Sequence, residues 1–207
     1  MSNHTERHPK NTPPQRILGL EPGSTGADWH QHPNGGGWVY RAAWVADTAY
    51  VGPDAVICGR ARVSGNAEVC GSAVVSGNAV VRDNARVSDS AVVSGDAEVS
   101  GSAWVCEGAR VSDNAVVSGR AWVCEGAVVR DSAVVSGNAV VCGSAEICGD
   151  ARILDSAVVR GSAEVSGDAV VSGRAVVGGD AEVHDRAVVA GDARVGGSDR
   201  LCKRQIV

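Results

Sequence analysis

Phenylalanine is absent from this chain, and among its 207 residues methionine occurs once and tyrosine twice. An interior of ordinary thickness needs large side chains to span it at close-packed density. Valine, alanine, glycine and serine dominate instead, so the apolar residues can only line something narrow and long. Lysine is missing from residues 37–198, where 20 acidic residues face 13 arginines. A nucleic-acid-binding surface needs the opposite balance, which sets DNA and RNA aside as partners. No run of 18 apolar residues exists, and the opening MSNHTERHPKNTPPQR has no apolar signal-peptide core. The expectation is a soluble, cytoplasmic protein without a membrane partner. Seven cysteines without paired spacing suit reduced thiols better than a disulfide framework.

What is there is a period of six. From Gly37 the chain reads GWVYRA, AWVADT, AYVGPD, AVICGR, ARVSGN, and continues in that form to Ser198 without insertion or deletion, 27 hexads in all. The third position is Val in 24 of them and Ile at Ile57, Ile147 and Ile153, and the first is Ala in all but one. Two residues apart on an extended strand, Ala and Val point to the same side, while the residue between them points outward. The last two positions favour Gly, Asp, Asn and Ser, types that tolerate the backbone angles of a tight turn. Each hexad is thus a short strand plus a corner, and three corners close a triangular coil of 18 residues. A single coil buries too little to stand alone, so stacking must complete it. The spacing predicts an all-β chain with three parts: an N-terminal tail and cap over 1–36, partly disordered; a single-stranded triangular parallel β-helix of about nine coils over 37–198; and a C-terminal cap or tail over 199–207.

The period does not dictate handedness, and parallel crossovers are normally right-handed. The pattern V-S-G-N-A-V, repeated over about three quarters of the chain, resembles the hexapeptide repeat of left-handed β-helix proteins, the superfamily of bacterial acyltransferases. The opening GGGWVYRAAWVADTAYVGPDAV is also similar to uncharacterised bacterial and phage-borne acyltransferase-like proteins. The resemblance implies a left-handed coil, trimers packed through flat faces, and an enzyme using acyl-coenzyme A at a subunit interface.

Outward residues 18 apart stack in columns, one for each face of the prism. The first runs from Trp38 to Glu182 and the second from Trp44 to Val188. The third carries Tyr50, Glu68, Arg86, Trp104, Trp122, Val140, Val158, Val176 and Arg194. Trp104, Trp122, Val140, Val158 and Val176 form an apolar stripe, with Arg86 placed to lie on the first indole. Such a stripe reads as an interface between copies of the chain. A surface column that touches nothing, or a glycan platform on the two Trp, would look the same in sequence. Trp38, Trp44 and Tyr50 ring the first coil and, with Trp29, suggest an N-terminal segment folded back over that end. DRLCKR, Asp199 to Arg204, continues the phase with Leu201 at the Val position; so thin a cover would permit head-to-tail association.

The family's chemistry does not carry over residue by residue. Acyltransferases of the superfamily use a catalytic His and usually a loop extruded from a coil, whereas here the phase never breaks. His4 and His8 lie in a tail that reads as disordered. His184 alone lies among the hexads, a weak catalytic candidate and more plainly a solvated surface residue. His30 and His32 have a spacing that two metal ligands could use, but they lack a Cys or acidic partner. Cys106, Cys124 and Cys142 share the position after Val in consecutive coils. A row at about 4.8 Å spacing cannot gather three sulfurs around one zinc at about 2.3 Å, so Cys here stands in for Ser. Ice binding would need ranks of Thr, and Thr48 is the only one in the hexads. No cofactor or metal is expected. The reading is a non-catalytic β-solenoid that self-associates, as a trimer or end to end, with the acyltransferase as the alternative.

Overall fold

The computed structural model describes residues 13–202. The regular structure is nearly all β: three sheets of parallel strands run the length of the molecule, and each hexad contributes one short strand, of two residues in all but the first. The sheets hold 11, nine and nine strands, and from Trp38–Tyr40 onward consecutive strands of the chain fall in different sheets. Pairing is in register at 18 residues, as in Arg86 against Trp104 and Val87 against Val105. About nine coils therefore stack as a β-solenoid. From the second coil onward, the Ala and Val of the hexads are fully buried up to Val189 and fill one continuous thin core. The absence of large core side chains and the narrow interior are the same fact.

The corners explain the fifth position. From 59 to 197, every fifth-position residue has a positive φ, near +57° to +76°. Sixteen of these are Gly and eight are not: six Asp with Glu107 and Glu125. A non-Gly residue pays for this conformation unless its side chain bonds locally. Five of the six Asp carboxylates do so, accepting the backbone N–H of the corner one coil later: Asp83 from Gly101, Asp131 from Gly149 and Asp155 from Gly173, all at 3.0 Å, and Asp89 from Glu107 and Asp113 from Asp131 at 3.3 and 3.4 Å. At the sixth position the backbone N–H donates to the next coil's corner carbonyl, as from Asn84 to Gly101 at 2.8 Å.

Ahead of the coils, Trp29–Gln31 pairs antiparallel with Trp38–Tyr40, adding a strand to the first sheet. A four-residue helix, Gln15–Leu18, lays Ile17 on the outer side of that sheet with Trp29, Trp38, Val56 and Cys58. The fold-back therefore covers the outside of the first face. It also reaches the end of the coils: Asn34 accepts from the N–H of Val51 and donates its side-chain amide to the Ala49 carbonyl. Trp29 and Trp38 are buried by this cover, while Trp44 on the second face stays exposed. At the other end Arg200–Leu201 pairs with Glu182–Val183 and extends the first sheet by one row. The expectations for His4, His8, Lys203 and Arg204 fall outside the described residues.

Candidate functional site

The third sheet runs from Tyr50–Val51 to Arg194–Val195, and its outward column is the one laid out by the 18-residue spacing. Parallel in-register pairing sets Trp104 beside Trp122, then Val140, Val158 and Val176 in successive coils. The indoles stack with centroids 5.4 Å apart and planes 5° from parallel. Each ring is tethered: the Trp104 N–H donates to Ser88 Oγ and the Trp122 N–H to Cys106 Sγ, both at 3.1 Å. Both acceptors sit one coil back, at the corner that follows the third face. The rings remain 38% and 43% exposed, whereas the three Val are half-buried. The stripe is thus a ridge of two rigid indoles followed by a trough of three Val.

Arg86 does not lie on the indole as expected. Its guanidinium pairs with Glu68 one coil back, Nε to Oε2 3.4 Å, and the ring contact of the ridge among the described residues is Trp104 with Trp122. A carboxylate in the adjacent row competes for the cation, and an ion pair between in-register neighbours needs no change of rotamer row.

At the far end of the trough the corner is bare. Gly178, Gly179, Gly196 and Gly197 fill two successive rows and, with Arg160, Val176, Arg194, Gly161 and Val195, line a hollow of about 520 Å³. The Arg160 side chain leans over Gly178, where an added Cβ would meet its Cγ at 3.3 Å. Along the same corner, beside the ridge, stand Glu107 and Glu125, both exposed and both held at positive φ. The hollow was legible in the hexads AVVGGD and ARVGGS, where Gly-Gly replaces the usual Ser-Gly.

The cysteines are reduced and mostly buried. Burial pushes the Cys124 thiol up to about 12, helped by Cys142, Cys106 and Glu107. Burial also pushes Cys58 up to about 12, with Glu21 beside it. Cys70, Cys106, Cys142 and Cys148 are raised as well, burial again leading. A thiol held protonated is a poor nucleophile. These are packing groups, and Cys106 doubles as acceptor for Trp122.

His184 sits half-exposed at the corner that follows Glu182–Val183 of the first sheet, with Nδ1 3.5 Å from the Asp185 carboxylate. The shallow hollow nearest to it is lined by Gly149, Asp150, Gly167, Asp168, Asp185 and Arg186 and leaves the imidazole outside. His30 is exposed and His32 is buried, its Nδ1 on the Asn34 backbone and its Nε2 without a partner, so the two do not converge. Among the described residues no group of three or more His, Cys, Asp or Glu is arranged to hold a metal ion. None of the described helices is long and apolar enough to cross a membrane.

Residues 109–125 match the family model described as the YdcK β-solenoid repeat. That stretch contains Trp122 and ends on Glu125. A search of curated proteins finds no match to the chain. Match and fold together make the chain a β-solenoid repeat protein.

Proposed function

We propose that this solenoid is a non-catalytic structural or interaction protein that associates with itself through its third face, and that its unbroken hexads make it kin to the left-handed hexapeptide-repeat proteins. The stacked, half-exposed Trp104–Trp122 pair is the observation that carries the reading. Aromatic side chains of this size bury about 150–250 Å² each on association, and these two are already held in one conformation, so little side-chain freedom is lost on docking. A sugar platform needs open ring faces. Here the two rings lie one coil apart along the rod, each turns a face to the other, and their edges look outward. Of the other third-face rows, Val140, Val158 and Val176 are β-branched and Glu68 and Arg86 pair with each other, which suits a sheet-to-sheet contact. The acyltransferase alternative gains no support from His184, which stands on a convex corner with Asp185 as its near partner.

The test compares Trp104→Glu plus Trp122→Glu with a control on the second face, Val116→Glu plus Val134→Glu. Sedimentation velocity should show the third-face variant as a monomer and the control associated like the unaltered protein. Equal behaviour of the two variants would remove the third face from the account.

A further inference from the structure

Resting on the self-association just proposed, the ridge and the hollow fix how two copies meet. We infer that they form an antiparallel dimer about a two-fold axis lying across the rods at Val140, with Trp104 of each copy seated in the glycine hollow of the other. The rows supply the register. Trp104 and Trp122 stand two and one coils before Val140, and Val158 and Val176 stand one and two coils after it. Such an axis sets Trp104 opposite Val176 and Trp122 opposite Val158, ridge into trough on both sides at once, as an isologous contact requires. A parallel pairing about an axis along the rods would put indole against indole and valine against valine.

Four further features agree with that register. The tethers to Ser88 and Cys106 draw both indoles toward the corner that carries the hollow. The Trp104 ring also leans back toward the Ser88 row, so its counterpart position falls between the rows of Val176 and Arg194, where the hollow lies. At about 520 Å³ the hollow is within the roughly 300–1,000 Å³ of clefts that accept ligands larger than an indole. Arg194 flanks the hollow on the side that the free face of Trp104 would meet, and would offer its guanidinium to that electron-rich face.

Charge follows the same symmetry. The axis keeps each corner facing its own counterpart reversed, which places Glu125 opposite Arg160, twice per dimer. Glu107 falls opposite the row between Arg160 and Arg194. Arg86 comes opposite Arg194, and its pairing with Glu68 offsets that repulsion. Seven rows, from Arg86 to Arg194, then overlap. At about 4.8 Å per row and about 20 Å of face width this covers roughly 700 Å² per copy, close to the roughly 800 Å² of a stable specific interface.

The experiment is charge reversal read by sedimentation equilibrium on the full chain: Glu125→Arg, Arg160→Glu and both together. Each single change sets like charges opposite one another twice and should weaken the dimer at least about tenfold, while the double variant should return to within about threefold of the unaltered protein. Gly178→Leu, at a position without a positive φ, should fill the hollow and weaken association without changing the circular dichroism of the monomer. Single variants that associate as tightly as the unaltered chain, a double variant without recovery, or a trimer mass would each overturn this register and leave third-face association standing. An unaltered chain that stays monomeric would sink both.

Discussion

Asp155 offers the sharpest test of how the coils turn. It holds the corner with φ at +60° and accepts the Gly173 N–H, one coil on, at 3.0 Å. Replacing it with Ala removes that hydrogen bond, worth about 1 kcal/mol net. It also leaves a Cβ in the left-handed region without the local bonding that makes Asp tolerable there, a further cost of about 1 kcal/mol. Replacing it with Gly removes the same bond but relieves the backbone. The offset is partial, because Gly is freer in the unfolded chain by roughly 0.5–1 kcal/mol. Asp155→Ala should therefore lose about 2 kcal/mol and Asp155→Gly less than about 1 kcal/mol. Urea unfolding followed by far-ultraviolet circular dichroism reads both, provided the slopes agree, since long repeat arrays can lose two-state behaviour. Equal losses for Ala and Gly, or no loss for Ala, would show that neither the left-handed corner nor its carboxylate governs the turn.

Ile147→Ala empties a fully buried site in the middle of the stack and should cost about 2–5 kcal/mol by the same unfolding measurement, because neighbouring coils cannot collapse into the gap. Trp29→Ala removes the ring that packs with Tyr40 and Trp38 and holds Ser24, so limited proteolysis should cut ahead of residue 37 before it cuts the coils. Cys58 and Cys124 should fail to react with a disulfide reagent at pH 8 until the chain unfolds, and rapid labelling of all seven thiols in the native protein would contradict their burial. The sign of their pH effect is fixed: native thiols stay protonated to about 12, whereas unfolded thiols ionise near pH ~8.5. The unfolded state thus binds fewer protons above that point, and stability should fall as pH rises from about 8.5 toward 12.

The six-residue period contained the strands, the inward Ala and Val, and the membership of each face, because a spacing of 18 is both the pattern and the pairing register. It said less about side chains that choose between partners. Arg86 could reach forward to Trp104 or back to Glu68, and the ion pair that won is invisible to periodicity. The short QRIL helix was hidden for a different reason: four residues carry no repeat, and Ile17 finds Val56 and Cys58 only once the first face exists. The hollow is a case of absent side chains, written as Gly-Gly in two hexads 18 residues apart, and it takes a surface to turn that absence into a shape. The corner Asp residues were legible as turn formers, but their bond to the next coil depends on stacking.

Light-scattering mass of the unaltered chain across low to high micromolar concentration tests the central claim most directly. Association through the third face predicts a mass that rises above that of one 21.0 kDa chain to a fixed small multiple and stops there. A mass that stays at 21.0 kDa throughout, or one that climbs without limit as end-to-end growth would make it, contradicts the account.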